Sequence, residues 1–159
     1  MRTCFDTEFI DDGKTIELLS IGMVGAGGQT YYAEPAETDR SRACPWVTAN
    51  VLPHLTGPVK PRAMIAQEII DFAGDEPEFW AYYAAYDWVA LCQLYGRMLD
   101  VPKHWPHFVR DLRPLIGPGE LMRLAPIKGV QHNALADAMQ LHEAYIALTE
   151  PAAIPRRSY

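Results

Sequence analysis

A strand that opens the chain and carries two carboxylates on one face constrains the fold more than any other feature. Side chains alternate along a β-strand with period two. Within Arg2 to Phe9, therefore, Cys4, Asp6 and Glu8 share one surface while Phe5, Thr7 and Phe9 share the other. The segment is otherwise apolar, and an unpaired carboxylate buried in such a strand is costly. Asp-x-Glu alone is a common tripeptide; its place in this strand is what gives it weight.

Two more acids and a histidine have contexts of the same kind. Asp87, in Ala85-Tyr86-Asp87-Trp88, opens an amphipathic helix directly after a strand, where the macrodipole also favours an acid. His132 and Asp137 are five positions apart, about 140° around a continuous helix and thus on different faces. A helix capped by Asn133 instead leaves His132 in the preceding loop and fixes Asp137 in the early turns. Four carboxylates brought together repel one another unless divalent cations sit among them. Two such cations about 3.5–4 Å apart clamp the attacking and leaving oxygens of a phosphodiester, and a histidine supplies the base.

Around these residues the chain reads as a single unit. Its 159 residues, 49% hydrophobic and 11% aromatic, suffice for one core and are too few for two ordinary domains. We expect one domain over 1–150 and a frayed tail over 151–159. Arg2–Phe9, Thr15–Val24 and Gln29–Ala33 form an antiparallel meander separated by turn signals at Asp11–Lys14 and Gly25–Gly28. Residues 40–52 and 62–72 are expected to be helical, 78–83 a strand, and 86–99 a helix with an apolar stripe of Trp88, Leu91, Cys92, Tyr95 and Met98. The Pro- and Gly-rich stretch 101–126 is expected to hold a fifth strand near Phe108 and a short helix over 111–116. A last helix runs from Asn133 to about Thr149 with Ala134, Ala138, Leu141, Tyr145 and Leu148 inward. The aromatics Trp80, Tyr82, Tyr83, Tyr86 and Trp88 read mainly as core.

Composition narrows the function. A formal charge of −6 argues against a broad basic surface that grips long duplex nucleic acid; two bound divalent cations would bring the catalytic centre nearer to neutral and suit it to a short single-stranded end. Cys4, Cys44 and Cys92 are odd in number and lack a Cys-x-x-Cys spacing, so they are expected as reduced packing residues. No apolar run approaches the length of a membrane span and the N-terminus lacks a signal-peptide pattern, so the expected location is cytoplasmic.

The motifs together resemble a known family, the DEDDh exonucleases of the DnaQ-like, ribonuclease-H-like superfamily. Asp6-Thr7-Glu8 is similar to the first motif, Ala85-Tyr86-Asp87 with Trp88-Val-Ala-Leu to the second, and His132-x-x-x-x-Asp137 to the third, spanning about residues 2–148. The segments Tyr86–Gly96 and Phe5–Gly22 resemble more narrowly the small polyadenylate-specific 3′-exoribonuclease branch. Many relatives continue the first motif with Thr-Thr-Gly or Met-Thr-Gly, where this chain has Phe9-Ile10-Asp11-Asp12-Gly13.

The resemblance implies an α/β, ribonuclease-H-like fold: a mixed five-stranded sheet, antiparallel meander plus parallel strands, flanked by helices. It implies that Asp6, Glu8, Asp87 and Asp137 hold two Mg²⁺ or Mn²⁺, with Asp6 bridging and Asp87 assisting directly or through water. His132 would take the proton of the attacking water, and nucleoside 5′-monophosphates would leave from the 3′ end of single-stranded RNA. Oxygen-only ligation fits those metals better than zinc. Thr7, Phe9, Glu17 and Leu18 flank the first motif or lie on the adjacent strand, and are candidates to seat the terminal nucleotide. The same chemistry on single-stranded DNA is the alternative within this class, and a non-catalytic nucleic-acid-binding module the alternative outside it. A homodimer is also expected.

Overall fold

The computed structural model describes residues 1–149; the expected tail over 151–159 lies outside the described residues. At its centre is a mixed sheet of six strands: β1 (Arg2–Asp11), β2 (Ile16–Gly25), β3 (Thr30–Pro35), β4 (Val59–Lys60), β5 (Glu78–Ala81) and β6 (Arg110–Asp111). Their order is β4-β3-β2-β1-β5-β6. β1, β2 and β3 form the antiparallel meander, whereas β5 runs parallel to β1, β6 to β5 and β4 to β3.

Among the described residues five α-helices complete the fold: α1 (Pro45–Asn50), α2 (Arg62–Ala73), α3 (Ala85–Gln93), α4 (Glu120–Leu124) and α5 (Ala134–Thr149). On one side of the sheet Phe5, Leu18, Ile21, Met23 and Phe79 pack against Ile65 and Ile69 of α2 and Trp88 and Leu91 of α3. On the other side Cys4 packs with Leu112, Ile116 and, from α5, Leu141 and Ala144. Further along that face Ile10 and Leu19 meet Val47 and Val51 at α1. β1 is thus covered on both faces, which is why its polar residues have to be matched by specific partners. Each large apolar side chain removed from water in this way contributes on the order of 1.5–3 kcal/mol.

Several expectations are corrected. The sheet has six strands, not five: β4 is two residues long between Pro58 and Pro61, too short to show any alternation, and it is held by bonds from the Glu34 N–H to the Pro58 carbonyl (3.0 Å) and from the Ala36 N–H to the Lys60 carbonyl (2.9 Å). The helix expected over 40–52 splits into a 3₁₀ turn at Arg40–Arg42, α1, and a 3₁₀ turn at Leu52–His54. Pro45 holds the preceding Cys44 extended (φ −67°, ψ 163°) and sits in the first turn of α1.

The strand expected over 78–83 ends at Ala81, because Tyr83 turns into the left-handed region at φ 59°. The helix expected over 86–99 is α3, ending at Gln93; Gly96 follows at φ 121°, and Met98 is 47% exposed rather than part of the buried stripe. The strand expected near Phe108 is β6, two residues further on; the short helix expected over 111–116 is only a 3₁₀ turn at Arg113–Leu115, and α4 has no counterpart among the expected elements. Trp105 anchors this irregular stretch: its ring packs 5.0 Å from that of Phe79 and its indole N–H donates to the Gly74 carbonyl at 3.0 Å. Cys4 and Cys92 are buried and Cys44 is exposed, and all three are free. Among the described residues no helix is long and apolar enough to cross a membrane.

Candidate active site

β1 delivers Asp6 and Glu8 to the α5 face of the sheet. Asp6 pairs in register with Gly22 of β2, and a register shift after Glu8 leaves Leu19 as the extra residue of a bulge. Gly22 is what admits α5 here. A Cβ at Gly22 would stand 2.3 Å from the Ala134 carbonyl carbon and the Leu135 nitrogen, so only a glycine lets the first turn of α5 rest directly on the strand. Asp137, one turn on, is thereby brought to Asp6 and Glu8: one ligand atom from each of the three lies within 4.8 Å of the others.

Asp87 comes from the opposite side. It sits in the first turn of α3, 5% exposed, and its Oδ1 accepts from the Thr7 N–H (2.9 Å) and the Thr7 hydroxyl (2.6 Å). Thr7 points away from Asp6 and Glu8, as alternation requires, and binds the fourth carboxylate. Asp87 lies outside the tight group of three, yet it contributes the largest charge repulsion felt by Asp6.

Desolvation and crowding push these acids toward protonation. Asp6 is raised well above the carboxylate range by burial and then by Asp87, Asp137 and Glu8. Burial, followed by Asp137 and Asp87, raises Glu8 to about 8. Burial lifts Asp87 to about 6 although Thr7's two hydrogen bonds oppose it. Asp137 is raised by burial against the stabilising His132 N–H. The ion pairs among the described residues engage other carboxylates, such as Glu34 with Arg40 and Glu17 with Arg62. A set of carboxylate oxygens this close, without a paired Lys or Arg, has the donor chemistry of a hard divalent cation site.

His132 lies at φ 64° immediately before α5. Asn133 caps the helix by accepting from the Ala136 N–H (3.2 Å), and donates its own amide to the His54 carbonyl (3.2 Å). Trp46, 55% exposed on α1, sets its ring edge-on to the His132 imidazole with centroids 4.9 Å apart. A left-handed conformation in a non-glycine residue costs on the order of 1–3 kcal/mol and persists only where its surroundings enforce it.

Two cavities meet at the carboxylates and share Asp6, Tyr82, Tyr83, His132 and Asp137. The smaller, about 280 Å³, is completed by Thr7, Glu8, Phe9, Tyr86 and Asp87. The larger, about 430 Å³, is completed by Leu121, Met122 and Gln140 among others. A further cavity of about 440 Å³ between Glu78, His104 and Phe108 lies away from them. Among the residues expected to seat a nucleotide, Phe9 lines the smaller cavity, its ring 5.7 Å from that of Tyr86. Thr7 also lines it, but its hydroxyl is committed to Asp87. Leu18 is completely buried in the core and Glu17 is held by Arg62 at 3.3 Å, so neither faces these cavities.

Sequence reasoning missed Trp46 and assigned Tyr83 and Tyr86 to the core, yet they are 64% and 52% exposed beside the carboxylates. The position of Tyr86, next to Asp87 at the start of a helix, was the one available signal for it. Nothing local distinguished Trp46.

The chain matches, over residues 1–149, the family model described as the 3′-5′ exoribonuclease Rv2179c-like domain. It is 44% identical over 146 residues to the 3′-5′ exoribonuclease Rv2179c of Mycobacterium tuberculosis strain H37Rv, the alignment covering 87% of each chain. The 3′-5′ exoribonuclease MT2234.1 of strain CDC 1551 is similar to the same extent, 44% over 146 residues.

Proposed function

Because the chain belongs to the Rv2179c-like 3′-5′ exoribonuclease domain family and is a 3′-5′ exoribonuclease, we propose that it is a DEDDh enzyme on a ribonuclease-H-like fold, trimming single-stranded RNA to nucleoside 5′-monophosphates. The observation that carries this reading is the convergence of Asp6, Glu8 and Asp137 within 4.8 Å, with Asp87 tied to the same strand through Thr7. Asp6, Glu8, Asp87 and Asp137 would hold two Mg²⁺ or Mn²⁺, which when bound supply charge neutralisation at the phosphate and a lowered pKa for the attacking water.

The chain's own residues do the rest. His132, in the wall of both cavities, takes the proton as the water oxygen bonds to phosphorus. The bond from phosphorus to the O3′ of the preceding nucleotide breaks, and that oxygen acquires a proton to end as a new 3′-hydroxyl. Phe9 and Tyr86 bound the slot for the departing nucleotide, an apolar pair against which a base can wedge. Thr7 orients Asp87. A non-catalytic binding module is set aside because the family is named for its activity and the chain carries all five motif residues.

Digestion of end-labelled RNA and matched DNA oligomers with Mg²⁺ or Mn²⁺, followed by product analysis, tests this. Stepwise shortening from the 3′ end with release of 5′-monophosphates and faster turnover of RNA is expected. Internal cuts, 3′-monophosphate products or undiminished cleavage in chelator would refute the mechanism, and equal or faster DNA turnover would favour the DNA alternative.

A further inference from the structure

Between β5 and α3 the chain reverses at Tyr83, an aromatic residue in the left-handed region at φ 59° that is 64% exposed. Bulky side chains rarely adopt that conformation, and here a dedicated scaffold enforces it. The Asp111 carboxylate accepts from the N–H groups of Tyr83 (3.1 Å), Ala84 (3.3 Å) and Arg113 (2.9 Å). The ring is held as well as the backbone: the Tyr83 hydroxyl accepts from Arg113 Nε at 2.9 Å, and Arg113 is itself tethered to the Ile116 carbonyl at 2.8 Å. Tyr82 backs the ring edge-on at 4.8 Å. An exposed ring fixed this firmly adds little to the core, and it stands in the wall common to the two cavities that meet at the carboxylates.

We propose that Tyr83 is the stacking surface for the base of the penultimate nucleotide, the one left with the new 3′-hydroxyl when the terminal nucleotide departs. The inference rests on the exoribonuclease site described above and extends it by one nucleotide. A phosphodiester whose phosphorus lies at Asp6, Glu8 and Asp137 has a nucleoside on either side. The smaller cavity, with Phe9 and Tyr86, takes the departing one; the larger, walled by Tyr83, Leu121 and Met122, takes its neighbour. Aromatic faces accept any base, which suits an enzyme that must advance along a varied strand. A ring already locked by Arg113 loses little freedom when RNA arrives, so the penultimate base sets the register of the scissile bond.

The test compares kcat/KM for a short single-stranded RNA with the same RNA carrying an abasic ribose at the penultimate position, using the wild-type chain, Tyr83→Phe, Tyr83→Gly and Tyr83→Asn. Glycine and asparagine both tolerate the left-handed conformation, so two variants without the ring remain foldable. The wild-type chain should prefer the intact RNA by about tenfold, the range of a modest base–aromatic stack. Tyr83→Phe should keep most of that preference, and both ringless variants should bring it close to one. An unchanged preference in either folded ringless variant, or no preference in the wild-type chain, overturns the role of Tyr83 while leaving the exoribonuclease reading intact. Failure of the wild-type chain to cut either RNA defeats that reading, and the inference with it.

Discussion

The backbone N–H of His132 donates to Oδ2 of Asp137 at 3.0 Å, joining the residue proposed to move the proton to one proposed to hold a cation. The bond spans the start of α5, and with Trp46 against the imidazole it fixes where the ring projects.

Because that bond uses the backbone of His132, His132→Ala retains it and loses only the imidazole. Turnover should fall by about 10²–10⁴-fold, while the rise in Tm produced by Mn²⁺ stays as in the wild-type chain. Steady-state kinetics with thermal melts at several Mn²⁺ concentrations measure both; unaltered turnover would remove histidine from the proton transfer.

Thr7→Val deletes the 2.6 Å hydroxyl bond to Asp87 and leaves the backbone bond in place. Losing one hydrogen bond to a buried carboxylate should cost about 1.5–3 kcal/mol of stability. Turnover should drop on the order of tenfold and half-maximal activity should need more Mn²⁺. A variant with normal metal dependence would show that Thr7 does not orient Asp87 for catalysis.

Gly22→Ala places a methyl group where α5 now rests, 2.3 Å from backbone atoms of Ala134 and Leu135. Overpacking of this kind costs about 1–3 kcal/mol, each kcal/mol lowering Tm by about 2–4 °C in a chain of this size. Activity at a temperature where the variant is fully folded should fall further than that of an equally destabilised core variant such as Ile69→Val, because Asp137 moves with the helix. Matched losses in the two variants would deny Gly22 any role in placing the site.

The raised acids make the metal-free protein sensitive to pH. Asp6 and Asp137 are raised, Glu8 to about 8 and Asp87 to about 6, whereas unfolded carboxylates titrate near pH 4. The folded state therefore binds protons that the unfolded chain has released. The resulting stability is full below about pH 4 and is lost as pH rises toward about 8. In chelator Tm should fall between pH 5 and pH 8, millimolar Mg²⁺ or Mn²⁺ should restore it at pH 8, and Asp6→Asn should flatten the metal-free profile while abolishing cleavage. A metal-free Tm that climbs over this interval would contradict the account.

Much of the frame was legible because it is written in local periodicity. The alternation of β1, the meander turns, α2 and the Asn133 cap of α5 each depend on neighbours in the chain. Where boundaries moved, the cause was a competing local rule, as with Pro45 inside the expected first helix, or a tertiary one, as where Asp111 draws Tyr83 out of the expected strand. β4 escaped notice because two residues between prolines carry no period. Tyr83 and Tyr86 resemble core aromatics by composition; which way a ring faces is settled by what packs behind it.

By itself the sequence determined that Asp6 and Glu8 share a strand face, that Asp87 opens a helix, and that Asp137 is set in a helix while His132 waits before it. These follow from the geometry of one element at a time. Only the tertiary structure decided that they meet, because each meeting depends on contacts between distant segments: Thr7 bonded to Asp87 80 positions away, Trp46 against His132, and α5 seated on Gly22. The cost of burying carboxylates together is a property of that assembly and of no segment within it, and local sequence patterns could not record it.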